Sequence, residues 1–330
     1  MGRNIIVMSI KKRSRFWLKI AVVLLAVLTV AIVLWKIWPD EEKSQVESSN
    51  ERAYRHIEVD GKQYDYNTNM LTLLCMGIDT TDDSEGQSDV IDLMILDREN
   101  EKMKILSFSR DSMVPIRIFD ASGKSLGWEE QHLALASSYG STQERGCLLT
   151  CEAVSKLIWD IPIVYYAGAN LSAFEQFQDL VGSFTVQVPD DSLASLGEEY
   201  QKGNTVTITS ENAELFVRSR DTDVDFSNTS RMQRQRVYID GYVQSLRKQL
   251  QEDFNGTVTR TTGLLSQVVT NISIDEVSDF AKMIMDYEFS AEEDYIVVEG
   301  SEKKGLFHDE YHIDETELQK LILETFYTQK

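Results

Sequence analysis

The sequence predicts an α/β protein with helices on both faces of a mixed central sheet, preceded by one N-terminal transmembrane helix. Three observations carry this. Phe16 to Trp38 read "FWLKIAVVLLAVLTVAIVLWKIW", a long apolar run. Leu71–Ile78, Val90–Asp97 and Met103–Phe108 are strand-like and apolar on both faces, so their sheet must be covered on both sides. Beyond them, helical and strand periodicities alternate, the order of a layered α/β fold. A chain of 330 residues, 42% of them hydrophobic, can bury one large core. Four prolines and no low-complexity tract argue against a long disordered region.

The apolar run would extend about 35 Å as a helix, enough to cross a bilayer. Lys19 and Lys36 lie near its ends, where long side chains snorkel, and Trp17, Trp35 and Trp38 suit the interfaces. Arg3, Lys11, Lys12, Arg13 and Arg15 precede it, whereas "DEEKSQVE" follows. The positive-inside rule therefore makes residues 1–15 a cytoplasmic tail and 16–38 a single span. Residues 39–56, polar and without periodicity, read as an extracytoplasmic linker, and 57–330 as an extracytoplasmic domain. A cleaved signal peptide is the alternative; the run is long for one, and no small-x-small site follows.

Within the domain, Asp60-Gly61 between two short alternating runs signals a hairpin. "RENEK" joins the second and third apolar strands tightly, making them antiparallel. Helices follow over Gly146–Trp159, Leu171–Val181, about Thr229–Gln251, Asp275–Asp286 and Glu315–Phe326, with strands at Ile163–Tyr166, Phe184–Val188, Val206–Thr209 and Tyr295–Val298. Ser210 is placed to cap a short helix, "ENAELFV". Cys147 and Cys151, four apart on a helix, rarely meet disulfide geometry and lack two further metal ligands; buried thiols are preferred.

Chemistry in such sheets gathers where strands end. One apolar strand ends at Asp79, the next opens at Asp89, and the third runs into Arg110-Asp111. Paired carboxylates suit Mg²⁺, with water and phosphate completing its octahedron; a solvated turn is the plain alternative. Arginines gather at 218–236, "RSRDTDVDFSNTSRMQRQR", in a chain of 33 Lys+Arg against 54 Asp+Glu. If the backbone is extended, Arg218 and Arg220 point the same way. Arg231, Arg234 and Gln235 share one face of a long helix, in first turns that oppose positive charge unless an anion intervenes. A phosphate satisfies both, and pairing with Asp221, Asp223 and Asp225 is the rival. "HDEYH" at 308–312 lacks the zincin glutamate and a third ligand. A net charge of −21 disfavours nucleic acid.

"LLCMGIDT", "SDVIDLMIL", "ILSFSRDSM", "LASSYG", "IWDIPIVYYAGANLSAF", "VRSRDTD" and "SRMQRQR", in this order, resemble the successive signatures of the LytR–CpsA–Psr cell-envelope proteins. The resemblance implies an α-β-α sandwich whose apolar groove holds a polyprenyl chain. It implies Mg²⁺-dependent transfer of a glycopolymer phosphate from undecaprenyl pyrophosphate to peptidoglycan, forming a phosphodiester. Asp79 and Asp89 then resemble the Mg²⁺-associated aspartates, and Arg110, Arg218, Arg220, Arg231 and Gln235 the pyrophosphate-binding set, with Arg234 on the same helix face. Asp111 or Asp89 is the candidate general base. Two departures stand out: Gln87 where many members carry arginine, able to hydrogen-bond a phosphate without charge, and Asp92 in an apolar strand position. The rival readings are a membrane-anchored lipid-pyrophosphate sensor and a lipid pyrophosphatase.

The topology has a direct check. A reporter fused after Lys330 should be active only outside the membrane, and a mature protein beginning near residue 40 would remove the anchor.

Overall fold

A computed structural model describes residues 54–80, 86–219, 229–305 and 308–330. The expected tail, transmembrane span and most of the linker lie outside the described residues, as does Arg220. Among the described residues, no helix is long and apolar enough to cross a membrane.

The described residues open with the hairpin β1 (His56–Val59) and β2 (Lys62–Tyr66), turning at Asp60 and Gly61 with φ of 52° and 74°. Three long strands follow: β3 (Met70–Ile78), β4 (Ser88–Asp97) and β5 (Lys102–Ser107). A second hairpin, β6 (Met113–Phe119) and β7 (Ser125–His132), leads into a 3-10 segment at Leu133–Tyr139 and helix α1 (Gln143–Leu157). Next come β8 (Tyr165–Asn170), α2 (Leu171–Val181), β9 (Phe184–Gln187), β10 (Thr205–Ile208) and the short α3 (Ala213–Arg218). The long α4 (Thr229–Glu252), α5 (Phe254–Leu264), β11 (Val268–Thr270) and α6 (Ile274–Asp286) follow. The chain closes with α7 (Ala291–Asp294), β12 (Tyr295–Val297), the hairpin β13 (Gly300–Lys304) and β14 (Asp309–Ile313), α8 (Glu315–Phe326) and β15 (Tyr327–Gln329).

Six strands form the central sheet in the order β11-β8-β3-β4-β5-β12. It is mixed: β4 is antiparallel to both β3 and β5, while β8 pairs parallel with β3 and β12 parallel with β5. Alternation along the strands sends Leu74, Met76, Leu93, Ile95 and Leu106 to one face, against α1, the 3-10 segment and α8. Leu73, Leu96, Met103 and Ile105 point the other way, against Val243 of α4 and Phe280 of α6. Both faces are therefore covered, as the doubly apolar strands require. β9 and β10 pack with Phe216 and Tyr238 as a smaller cluster beside α4.

Several expected elements shift. The first long helix stops at Leu157, because Trp159 and Asp160 take φ of 65° and 59° and cannot continue it. Ser210 is not the cap of α3: that position is Asn212, whose side-chain oxygen accepts instead from the Thr209 N–H at 2.8 Å. Hairpins β6–β7 and β13–β14 add to the expected elements: β6 alternates Val114, Ile116 and Ile118 toward the core, whereas β7, β13 and β14 show no simple apolar alternation.

Asp92 now has a physical setting. It lies on the α4 side of β4, opposite Ser107 of β5, and is buried. The Tyr295 hydroxyl sits 3.2 Å from Asp92 Oδ2 and 3.0 Å from Ser107 Oγ. Burial pushes the carboxyl up to about 6, against the lowering effect of the Ser107 and Tyr295 hydrogen bonds. The folded state thus holds this proton more tightly than the unfolded chain, so ionisation between about pH 4 and 6 opposes folding. Stability should fall by about 3 kcal/mol as pH rises through that window. Asp92→Asn should remove the decline, read as Tm against pH; an equally steep fall in the variant would assign the slope to other carboxylates.

Candidate active site at the sheet edge

The antiparallel run of β3, β4 and β5 brings the end of β3, the start of β4 and the end of β5 to one end of the sheet, the edge formed by the strand termini. Asp79 follows β3, and its N–H donates to the Gln87 carbonyl at 2.9 Å, extending the pairing past Ile78. Gly77 faces Val90 but Ile78 faces Ser88, so Asp89 is the extra residue of a bulge. A bulge bends its strand and re-aims a side chain, here a carboxylate. The Arg110 guanidinium, just past β5, donates to the Asp89 carboxylate and to the Gln87 side-chain oxygen. Its Nε lies 3.5 Å from Asp111 Oδ1. The backbone here is held by the 3-10 segment: Ala134 N–H donates to the Arg110 carbonyl at 3.0 Å and Leu133 N–H to that of Ser112 at 2.8 Å.

Arg218 closes the other side. It is the last residue of α3 rather than the start of an extended stretch, so the expected alternation does not apply to it. Its guanidinium donates to Asp79 Oδ1 at 2.7 Å and to Glu214 at 2.5 Å. The short helix owes its position to α4. Arg231, Arg234 and Gln235 do share a helix face, and all three are buried. Arg234 donates to the Phe216 carbonyl at 2.5 Å and to that of Ser219, and Gln235 to that of Val217 at 3.4 Å. These carbonyls belong to the C-terminal end of α3, where the helix has no internal donors left and favours positive charge. Arg234 and Gln235 thus hold the helix that carries Arg218.

The edge therefore assembles Asp79, Gln87, Asp89, Arg110, Asp111 and Arg218. Among the described residues no group of three or more His, Cys, Asp or Glu side chains could hold a metal ion. Two carboxylates still suit Mg²⁺, which takes one or two from protein and fills its shell with water and phosphate oxygens. Cys147 and Cys151 are free, buried thiols, and burial pushes Cys147 up to about 12. His308 precedes β14 and His312 lies within it, so the two share no helix face, and His312 instead contacts Glu310 at 2.9 Å. Beside Arg110 a cavity of about 410 Å³ opens, with His132 and His308 among its lining. Sequence reasoning missed it, because β7 and β14 lie far apart in the chain.

Residues 37–322 match the LytR_cpsA_psr family. The chain belongs to the LytR–CpsA–Psr family. Its curated relatives include a Bacillus cereus protein named polyisoprenyl-teichoic acid–peptidoglycan teichoic acid transferase TagU, 25% identical over 283 residues, 84% of each chain. A Bacillus licheniformis protein of the same name is 21% identical over 314 residues, 95% of each. Among solved structures, Bacillus subtilis TagV superposes with a TM-score of 0.59 at 23% identity, covering 78% of this chain and 98% of that one. A Streptococcus agalactiae protein, gbs0355, reaches 0.61 at 20% identity, covering 78% and 88%. TagT bound to LIIa-WTA gives 0.59 at 23% identity, covering 78% and 90%. The mixed α/β fold of this LytR–CpsA–Psr protein is therefore shared with them.

For this LytR–CpsA–Psr chain, Gln87 has a local rationale: its neutral oxygen accepts from Arg110, whereas an arginine there would face a like charge. The two roles of arginine can be separated by stability. Arg234→Ala leaves buried carbonyls without their donor and should cost about 1–3 kcal/mol for each. Arg218→Ala breaks only half-exposed pairs and should change stability by less than about 1 kcal/mol. Chemical denaturation of both variants checks this; equal losses would contradict the division.

Proposed function

We propose that this protein transfers a glycopolymer phosphate from undecaprenyl pyrophosphate to peptidoglycan, forming a phosphodiester, outside a membrane to which its N-terminal segment anchors it. The observation that carries the reading is the convergence of Arg110 and Arg218 with Asp79 and Asp89 at one sheet edge, in a family whose curated relatives are named teichoic acid transferases. Wall teichoic acid in the TagT complex supports a glycopolymer donor.

Each guanidinium is already oriented by a carboxylate, so an arriving pyrophosphate meets donors in place rather than mobile cations. Bidentate arginine contacts match phosphate oxygens in geometry as well as charge. Arg110 and Arg218 would engage the two phosphoryl groups, with Arg220 and Arg231 as further candidates, and Arg234 and Gln235 positioning α3. Running back along the sheet from that end, Cys75, Met94, Tyr165, Ala167 and Ile239 are only half-buried on its α4 side. That apolar surface suits a polyprenyl chain. Asp79 and Asp89 would hold Mg²⁺, which supplies neutralisation of charge on the phosphoryl oxygens. Asp111, against Arg110, or Asp89 would take the proton from the acceptor hydroxyl.

A sensor would bind the same lipid, and a pyrophosphatase would cleave it without an acceptor. The discriminating experiment incubates the purified protein with a lipid-pyrophosphate sugar and a peptidoglycan fragment. Release of undecaprenyl phosphate should depend on the acceptor. Asp79→Asn should lower transfer by at least about 100-fold while lipid binding persists through apolar contacts. Chelation should have the same effect, and added Mg²⁺ should reverse it. Transfer that survives both the substitution and chelation would defeat the mechanism; binding without product would favour the sensor.

A further inference from the structure

The cavity beside Arg110 is not accounted for by a lipid chain or a pyrophosphate. Its volume, about 410 Å³, falls in the range of small-molecule pockets. Gln87, Arg110 and Asp111 form the wall it shares with the phosphate-facing edge. Ala134 and Leu135 of the 3-10 segment supply an apolar patch. His132 and, from the turn end of hairpin β13–β14, His308 and Asp309 add polar groups. The two imidazoles lie 6.1 Å apart between ring centres, tilted by 65°. The frame is tied by the main chain: Tyr311 N–H donates to the Asp111 carbonyl at 2.9 Å, and Leu133 N–H to that of Ser112 at 2.8 Å. Segments distant in sequence are thus held around one space.

We propose that this cavity is the acceptor subsite, taking a neutral sugar ring of the glycan that receives the phosphate. The proposal rests on the transferase reading above and extends it to the second substrate. Along the edge, Arg218 stands at Asp79 on the β3 side, while Arg110 stands at Asp89 and the cavity lies beyond it. A pyrophosphate spanning the arginines has its outermost phosphorus next to the cavity, where an attacking hydroxyl must come from. The lining chemistry favours a sugar. Asp111 and Asp309 accept hydrogen bonds from hydroxyls, and a neutral imidazole offers one donor and one acceptor. Two carboxylates against one arginine disfavour a phosphate-bearing chain through like-charge repulsion. The small apolar patch matches the less polar face of a pyranose.

In the reaction, the acceptor oxygen forms the new bond to the sugar-linked phosphorus. The bond from that phosphorus to the bridging oxygen breaks, and its electron pair leaves on undecaprenyl phosphate. The hydroxyl proton passes to the Asp111 carboxylate, which sits at the boundary of the two subsites.

His308 is exposed and outside the core, so it can be replaced without threatening the fold. With full-length protein in detergent, His308→Ala should raise the acceptor KM about ten-fold while leaving lipid-pyrophosphate affinity within about two-fold. His308→Gln, which keeps a donor and an acceptor, should recover much of the loss. Leu135→Trp, which fills the cavity, should act as His308→Ala does. A β-1,4-linked N-acetylglucosamine tetramer, titrated by saturation-transfer NMR without any donor, should bind the wild type and lose affinity in both cavity variants. If the variants instead weaken donor binding and leave the acceptor KM unchanged, the cavity holds the donor's first sugar and the proposal is overturned. Unchanged tetramer binding in both variants overturns it as well. Tetramer binding that depends on the cavity, in a protein that never transfers, would defeat the transferase reading while leaving the sugar site in place.

Discussion

Because β4 runs antiparallel to both its neighbours, the end of β3, the start of β4 and the end of β5 must meet at one edge of the sheet. Asp79, Asp89 and Arg110 are brought together by that pairing alone, with no loop having to reach. The bulge at Asp89 and the bond from Arg110 then refine what the pairing establishes. The edge can be stiff because the sheet beneath it is packed on both faces, one by α1 and α8 and the other by α4 and α6. On the function proposed above, a guanidinium already held by a carboxylate would reorganise little when a phosphate bound, as a preorganised electrostatic site requires.

Arginine has two roles in this chain, and burial separates them. Arg110 and Arg218 are partly exposed and bonded to carboxylates that can exchange partners with an incoming anion. Arg234 is fully buried and bonded to main-chain carbonyls. The second kind supports the first: α4 grips the end of α3, and α3 carries Arg218 to the sheet edge. The basic segment of an acidic protein is therefore partly exposed at the strand ends and partly a structural clamp.

Asp92 and Gln87 show how departures from a family pattern acquire local explanations. Asp92 is accommodated because Tyr295 and Ser107 surround it with hydroxyls, at the cost of a raised protonation point. Gln87 gives Arg110 an uncharged partner beside Asp89. Neither explanation is visible along the chain, since Tyr295 comes from the opposite end of the sequence and Arg110 from the next strand.

The sequence by itself determined the strands that build the sheet, the helices that cover it and the carboxylates and arginine at the strand ends. The physical reason is that periodicity and strand termini are local properties, legible wherever apolar spacing is regular. The Asp60-Gly61 hairpin was legible for the same reason, since a left-handed turn favours those residues. Tertiary structure alone decided which arginines are buried: Arg231, Arg234 and Gln235 share a helix face by spacing, but only packing turned that face inward, with Arg234 and Gln235 bonded to the end of α3. It alone decided that Arg218 closes a helix, that Asp89 sits on a bulge, and that His132 and His308 line one cavity with Asp111. Those outcomes depend on contacts between segments separated by tens to hundreds of residues, and no local pattern encodes which distant surface a side chain will meet.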